Sequence, residues 1–245
     1  MNNLIKKIKY PFYLFKIGFK AVFHYPIYKL DVQDANYNNY WDEKSDGYFI
    51  GDWQKDRADI IKSVIKKEKV GSLADVGCGD GSVLAYLKKS IQGVEAIGLD
   101  TSEEALSRAK KRGIEVKRIE GETIETIRKL PNVDYIFFLE VLEHTANAEE
   151  LLKAAYDKSK KGVFFSFPNT GFFIYRLRLL FGKFPAQWRV HPGEHLRFWT
   201  ISDLRWWLRA LNMNNYEIYT YRGIPILNLI LPSLFAAGIV VVAKK

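Results

Sequence analysis

The hydrophobic pattern of the chain changes its period repeatedly from residue 52 to the end. Apolar residues recur at helical spacing over 52–67, and short β-branched or aromatic runs then alternate with helical stretches. These runs predict strands near 72–77, 94–99, 114–118, 133–139, 162–167, 215–221 and 234–243. Strands that alternate with helices form βαβ units, so we expect an α/β fold with a Rossmann-like, doubly wound, mostly parallel sheet.

One helix has clear signals at both ends. Ser102 precedes the acidic pair Glu103 and Glu104, and Arg112 and Gly113 follow the last apolar position. A serine accepts hydrogen bonds from the first free N–H groups of a helix, and a glycine tolerates the left-handed turn after it. The pattern therefore predicts a helix from Ser102 to about residue 111.

The first thirty residues differ from the rest of the chain. They contain six lysines and no acid, and their apolar residues recur at helical spacing. The apolar stretches are too short and too charged to span a bilayer, and no cleavage site of small residues follows them. We expect residues 1–30 to form a basic amphipathic arm, which either lies on an anionic membrane surface or packs on its own domain.

A second apolar stretch lies near the carboxyl end. Residues 223–243 contain no charged side chain, and their length alone would allow a membrane-spanning helix. Pro225, Asn228 and Pro232 argue against one long helix, and the β-branched run 239–242 is typical of a buried strand. A strand after a loop is therefore the preferred interpretation.

Composition narrows the class of protein. The chain has 245 residues, of which 48% are hydrophobic and 27% charged, so one globular domain is expected rather than a disordered or polytopic chain. The net charge of +9 permits nucleic acid, anionic lipid or an acidic ligand as a partner. Nucleic acid is the less favoured, because the excess lies mainly in the arm. The single cysteine, Cys78, agrees with a reducing, cytoplasmic location.

A glycine-rich turn follows the first predicted strand. Gly77, Gly79 and Gly81 separate that strand from a helix, so a ligand can approach the backbone and the helix N-terminus closely. The dinucleotide fingerprint requires glycine at position 82, where this chain has serine, which makes a dehydrogenase the weaker alternative. Asp75 is unfavourable beside a pyrophosphate but suits a ligand with an ammonium group. These residues favour S-adenosylmethionine as the cofactor.

Acidic residues also follow the next strands. Asp100 ends the second strand, where a carboxylate can accept hydrogen bonds from both ribose hydroxyls. Glu122 follows the third strand and is placed to reach the adenine amino group, and the segment 139–144 follows the fourth. Open α/β sheets bind ligands at the carboxyl ends of their strands, so these residues are expected to form one site.

The motifs DVGCGDGS, GLDTSEEALSRAKKRGIEV and LEVLEH resemble those of class I S-adenosylmethionine-dependent methyltransferases of the type 11/12 group. The likeness covers about residues 31–245. SFPNTGFFIYRLRLLFGKFP and HLRFWTISDL add a narrower similarity to MetW-like proteins. The resemblance implies an antiparallel seventh strand. It also implies cofactor contacts from the glycine turn and the strand ends, namely Asp75, Gly77, Cys78, Gly79, Gly81, Asp100, Thr101, Glu122 and Leu139.

The same resemblance divides the domain into lid helices over 31–70, a cofactor-binding half over 71–168 and a substrate-side half over 169–245. The aromatic segment Asn36–Trp41 resembles a lid, and Arg57 could meet the carboxylate of the cofactor. Simple packing is the alternative for both. Cys78 is either a small residue tolerated in a tight loop or a thiol with a lowered pKa at a helix N-terminus.

Methyl transfer from a sulfonium requires mainly that the acceptor be positioned, and a hydroxyl acceptor benefits from a base. His144 and His195 are the candidate bases, with loop orientation as their alternative role. Residues 191–195 spell H-x-x-E-H, but Pro192 and Gly193 disfavour the helix that a zinc site of this pattern needs. We therefore expect no metal site.

The predicted function is methyl transfer to oxygen of a small-molecule or lipid-linked acceptor. The arm adds the expectation of peripheral contact with the inner membrane surface. The alternative is a MetW-like protein that binds the cofactor and acts on a partner enzyme without methyl transfer of its own.

Overall fold

The computed structural model describes residues 18–24, 50–185, 187 and 194–245. The expectations for most of the arm, for the aromatic lid segment 36–41 and for His191 lie outside these residues.

A single sheet forms the centre of the described chain. Its order is β3-β2-β1-β4-β5-β7-β6, and β7 runs antiparallel to both of its neighbours while β1 to β5 are parallel. The predicted fold class, including the antiparallel last strand, is confirmed. The strands are β1 Ser72–Val76, β2 Glu95–Asp100, β3 Glu115–Arg118, β4 Tyr135–Leu139, β5 Gly162–Pro168, β6 Tyr216–Tyr221 and β7 Gly238–Lys244.

Helices connect the strands and cover both faces of the sheet. A 3-10 turn at Leu142–His144 follows β4. The helices are α1 Asp52–Ile65, α2 Ser82–Ser90, α3 Glu103–Lys111, α4 Thr123–Arg128, α5 Ala148–Lys158, α6 Phe173–Leu180, α7 Ile201–Ala210, α8 Leu227–Ile230 and α9 Pro232–Phe235. A further helical segment spans residues 18–23.

The core consists of two apolar clusters, and side chains of the central strands alternate between them. Phe137 and Phe164 belong to the cluster that contains α1, α2 and α3, whereas Phe138 and Phe165 belong to the cluster that contains α4, α5 and α7. Successive side chains of a strand point to opposite faces of the sheet. Burial on both faces explains why these strands are continuously apolar in the sequence.

The predicted ends of α3 are confirmed. The Ser102 hydroxyl accepts a hydrogen bond from the N–H of Ala105 at 3.2 Å, and Gly113 after the helix has φ of 75°. The Ser102 bond satisfies an N–H group that the start of a helix leaves open, and Gly113 adopts the left-handed conformation that often ends a helix.

The final strand begins at Gly238, so the prediction of its start at residue 234 was wrong. Pro232 begins the short helix α9, which is a favourable first position because proline lacks an N–H. Asn228 also donates its side-chain amide to the carbonyl of Arg222 at 3.0 Å, which holds the preceding turn. Among the residues that the structure describes, no helix has the length and apolar character needed to cross a membrane.

Candidate active site

The glycine turn between β1 and α2 is held by the end of β2. The N–H of Gly77 donates to the carbonyl of Leu99 at 2.7 Å, and the N–H of Gly79 donates to Oδ2 of Asp100 at 2.8 Å. Gly77 has φ of 77°, and a Cβ there would lie 2.5 Å from Cγ2 of Val141. The turn therefore requires glycine for its conformation and for its packing.

Asp100 connects the turn to the loop after β2. Its Oδ1 accepts a hydrogen bond from the N–H of Ser102 at 2.9 Å, while its Oδ2 accepts from Gly79. Each carboxylate oxygen has two lone pairs, so both oxygens retain capacity for a ribose hydroxyl. The side chain is thus fixed in place and still able to accept hydrogen bonds from a ligand.

Asp75 lies buried in β1 with an unsatisfied oxygen. Its Oδ1 has no hydrogen-bond partner among the described residues, and burial raises the pKa of the carboxyl to about 8. The Arg57 charge opposes this shift, and the Asp100 charge adds to it. A buried acceptor without a donor is unfavourable, so this site fits a ligand that brings a cationic or N–H donor.

Cys78 packs inside the turn. Its Sγ faces Gly98, where a Cβ would lie only 2.6 Å from the sulfur. Burial raises the pKa of the thiol well above its usual value, and the neighbouring carboxylates add to this shift. The alternative of an activated thiol was wrong, because an electropositive surrounding is needed to lower a thiol pKa.

The remaining predicted cofactor residues lie where the strands of the sheet end. Thr101 is exposed directly after β2, and Leu139 is buried as the last residue of β4. Glu122 is exposed at the N-cap position of α4, and its side chain makes no capping bond. Leu139 lies at the end of a parallel strand and the other two residues follow parallel strands, whose carboxyl ends form one edge of the sheet. Their contacts with the cofactor stay predictions.

Glu140, the first residue after β4, is held in an unusual backbone conformation. It has φ of 60°, and its Oε1 accepts a hydrogen bond from the Ser166 hydroxyl at 2.9 Å. The same oxygen lies 3.0 Å from Nη1 of Arg57, a buried residue of α1. Arg57 therefore has a protein partner at the site, and its predicted contact with the cofactor carboxylate stays a prediction.

The 3-10 turn after β4 brings Glu143 and His144 together with His195. The His144 and His195 rings stand edge to face with centroids 4.7 Å apart, and Nδ1 of His144 contacts the backbone carbonyl of Glu194. The carbonyl of Glu143 accepts hydrogen bonds from the N–H groups of Leu196 and Arg197 at 2.7 and 3.2 Å. These bonds join the His195 segment to the turn.

Glu143 and His195 of this cluster are desolvated. Burial raises the pKa of Glu143 well above its usual value, and neither of its oxygens has a hydrogen-bond partner within the described ranges. Burial also lowers the pKa of His195 to about 4, with the neighbouring His144 acting in the same direction. Nδ1 of His195 is buried and lacks a partner in the part of the chain that the structure describes.

One carboxylate and two imidazoles in this arrangement form a possible cation site. Their ligand atoms all lie within 4.8 Å of one another. Neutral imidazole and carboxylate are both ligands of divalent transition metals. A zinc site of the H-x-x-E-H pattern would need His191 and His195 on one helix. His195 lies instead against Glu143 and His144, which follow β4. No spacing in the sequence indicates this cluster, because it joins segments that are distant along the chain.

Arg197, which follows this segment, has a structural role. Its guanidinium contacts both carboxylate oxygens of Glu149, at 2.6 and 2.8 Å. Nε1 of Trp207 donates to the same carboxylate at 3.0 Å. The bidentate pair ties the loop to α5.

The glycine turn, Asp100 and the strand order agree with the family match. The profile of a methyltransferase domain matches residues 50–218. The chain belongs to the methyltransferase domain family. It is a class I S-adenosylmethionine-dependent methyltransferase, with S-adenosylmethionine as its cofactor.

Two curated relatives of this methyltransferase are both named ubiquinone biosynthesis O-methyltransferase. It is 25% identical to a ubiquinone biosynthesis O-methyltransferase of Alkalilimnicola ehrlichii over 189 residues, which cover 74% of this chain and 75% of the relative. It is 26% identical to the Pseudomonas putida protein of that name over 194 residues, covering 76% and 82%. The narrower MetW-like similarity stays a prediction.

A solved structure extends the likeness to most of the chain. The plantazolicin methyltransferase BamL, determined with a triazolic desmethylPZN analog and SAH, superposes with a TM-score of 0.57 at 15% identity. The match covers 93% of this methyltransferase and 94% of that protein. At this identity the similarity concerns the fold.

Proposed function

We propose that this methyltransferase transfers the methyl group of S-adenosylmethionine to a hydroxyl oxygen of a small-molecule or lipid-linked acceptor, in the cytoplasm. The observation that carries the proposal is the cluster of Glu143, His144 and His195 directly after β4. The cluster brings a buried carboxyl and two imidazoles together, and such groups are suited to bind and deprotonate a hydroxyl. The two relatives named ubiquinone biosynthesis O-methyltransferase, about 25% identical, support the choice of oxygen as the acceptor atom.

The two halves of the site have different tasks. The glycine turn, Asp75 and Asp100 would hold the cofactor, which would supply a sulfonium methyl group for transfer. Methyl transfer is then an in-line displacement, in which the acceptor oxygen forms a bond to the methyl carbon as the carbon–sulfur bond breaks. The products are the methyl ether, S-adenosylhomocysteine and one proton. Most of the rate is gained by alignment of the two reactants.

His144 is the better placed of the two candidate bases. Its Nδ1 faces a backbone carbonyl, which only accepts hydrogen bonds, so the proton of the neutral ring resides on Nδ1. In this tautomer Nε2, which lies 4.0 Å from Oε1 of Glu143, is the ring nitrogen that can accept the acceptor proton. His195, with a pKa of about 4, is neutral at pH 7 and a weak base, which suits an orienting or ligating role.

The same three residues fit a divalent cation. Their donor atoms lie within 4.8 Å of one another, and both oxygens of Glu143 lack protein donors in the described chain. A bound cation would lower the pKa of an acceptor hydroxyl that contacts it. Glu143, His144 and His195 would hold it, and the low pKa of His195 keeps that ring in its ligating, neutral form.

The experiment is a calorimetric titration followed by a turnover assay. S-adenosylmethionine and S-adenosylhomocysteine should bind wild type in the micromolar range, NAD should not, and Asp100→Ala should abolish binding. Catechols and other phenols are then offered with labelled cofactor to wild type, His144→Gln and His195→Gln. Loss of phenol methylation in His144→Gln with retained cofactor binding supports the proposal. Methylation of amines but not phenols, or full activity of His144→Gln, would refute it.

The turnover assay also tests the MetW-like alternative. A cofactor-binding partner protein would bind S-adenosylmethionine and release no S-adenosylhomocysteine with any acceptor. Membership of the methyltransferase family favours the enzyme over this alternative.

A further inference from the structure

Three segments of the described chain pack in a row, with α6 in the middle. At the carboxyl end of α6, the Phe181 ring lies 5.0 Å from that of Phe23 in the segment 18–24. Near its amino end, the Phe173 ring lies 5.9 Å from that of Phe235 in α9. We call the segments 18–24, 169–185 and 222–237 together the outer layer.

Arg178 fixes the first of these contacts. The buried guanidinium donates to the carbonyls of Ala21, Val22 and His24 through Nη1, at 3.2, 2.9 and 2.9 Å. Its Nε donates to the carbonyl of Phe184 at 3.0 Å. The carbonyls at a helix end require donors, so this one side chain anchors the segment 18–24 on α6.

The outer layer exposes a large amount of apolar side chain. It contains ten of the thirteen large hydrophobic residues that are exposed in the described chain. The most exposed are Leu229 at 80%, Leu180 at 76%, Ile226 at 71% and Ile230 at 66%. Single exposed apolar residues need no explanation, but a concentration of them in adjoining segments marks an interaction surface.

The charge of the outer layer is of one sign. Its sequence contains no Asp or Glu, although the whole chain has 28. Its cationic residues are Lys20, Arg176, Arg178, Lys183 and Arg222. Arg178 is buried and Arg222 forms ion pairs with α1 at Asp52 and Asp56, so the cations are partly committed to the fold. Residues 1–17, which precede the layer, add four more lysines and no acid.

We propose that the outer layer docks on the surface of an anionic phospholipid bilayer. Apolar side chains such as Leu229 and Ile230 enter the headgroup region, and the lysines contact lipid phosphates. This combination of exposed apolar residues, positive charge and absent carboxylates is what an interfacial membrane site requires. Anionic lipid headgroups would repel an acidic side chain, so the absence of Asp and Glu from the layer favours its contact with such a surface.

The test is co-sedimentation of the full chain with vesicles of phosphatidylcholine alone and of phosphatidylcholine with phosphatidylglycerol. Wild type should bind the anionic vesicles and not the neutral ones. The double substitution Leu229→Glu and Ile230→Glu should weaken binding on the order of tenfold or more, because it removes apolar area and adds two negative charges. Trp206→Glu is the matched control, because Trp206 is 66% exposed on α7 and lies outside the layer. This variant should bind anionic vesicles as well as wild type does.

Several results would overturn the inference. Unchanged vesicle binding by the double variant, or equal binding of wild type to neutral vesicles, would each do so. A dimer of wild type in sedimentation velocity that the same double substitution dissociates would assign the layer to a second copy of the chain. Calorimetry with S-adenosylhomocysteine on every sample separates this inference from the proposed function. A variant that loses vesicle binding but keeps its affinity for S-adenosylhomocysteine is still folded at the cofactor site, and a failure of vesicle binding leaves the proposed methyl transfer unaffected.

Discussion

The guanidinium of Arg57 lies 3.0 Å from Oε1 of Glu140, and this pair connects α1 to the first residue after β4. The same guanidinium opposes the burial-driven rise in the pKa of Asp75. One buried cation therefore interacts with two acidic groups, one in β1 and one directly after β4. This makes Arg57 an element of both stability and site geometry.

Replacing Arg57 by Met should reduce the free energy of unfolding by about 2–4 kcal/mol, because it leaves the Glu140 carboxylate without its buried counter-charge. Urea denaturation measures the loss, with Lys55→Met on the exposed side of α1 as the control. Titration of a folded Arg57→Met sample with S-adenosylmethionine tests the cofactor role separately. Normal affinity would remove that role, and undiminished stability would contradict the importance of the pair.

Asp75 should make the ligand-free protein less stable as the pH rises. Its pKa is raised from 3.8 to about 8, so the native state binds more protons than the unfolded state between these values, and stability falls across that window. At pH 8 the free energy of unfolding of Asp75→Asn should therefore exceed that of wild type by up to about 5 kcal/mol, so that the variant unfolds at a higher urea concentration. Near pH 4 the two proteins should have nearly the same free energy of unfolding. Denaturation midpoints at pH 4, 6 and 8 measure this effect.

The same substitution should weaken cofactor binding at pH 8, because it removes a carboxylate from the site. An Asp75→Asn protein that is less stable than wild type at pH 8 would show that the carboxyl is not destabilised by burial.

Gly77→Ala should impair both folding and cofactor binding. The new Cβ would lie 2.5 Å from Cγ2 of Val141, and alanine disfavours φ of 77°. We expect a loss of about 1–3 kcal/mol in stability and a large loss of affinity for S-adenosylhomocysteine. Thermal unfolding and calorimetry provide the two values.

Combining Gly77→Ala with Val141→Ala relieves the contact but not the backbone strain. The pair should recover only part of the stability. Full recovery would show that space, and not φ, sets the requirement for glycine.

A divalent cation should stabilise the protein through Glu143. Its two oxygens are buried without hydrogen-bond partners in the described residues, and ligands that bind only the native state raise the melting temperature. We expect Mn²⁺, Mg²⁺ or Zn²⁺ to raise Tm of wild type by several degrees and to leave Glu143→Gln unaffected. Thermal shift measures this without any turnover.

Glu149→Gln is the matched control for the cation experiment, because Glu149 lies near the cluster but pairs with Arg197. It should retain the response of wild type. A shift of the same size in Glu143→Gln would place the cation elsewhere.

Local sequence determined the order of helices and strands and the cofactor-binding part of the site. Strand and helix periods, the caps of α3, the glycine turn and Asp100 depend on residues that are close along the chain, so their patterns are visible without a structure. The same holds for the absence of acids from the three segments of the outer layer.

Tertiary structure decided which of these residues meet. The insertion of β7 between β5 and β6, the Arg57–Glu140 pair and the approach of His195 to Glu143 and His144 each join distant parts of the chain. The anchoring of residues 18–24 by Arg178 does the same. Hydrophobic periodicity reports only which face of an element is buried, whereas these contacts depend on how the faces are packed together, and that packing gives no local pattern in the sequence.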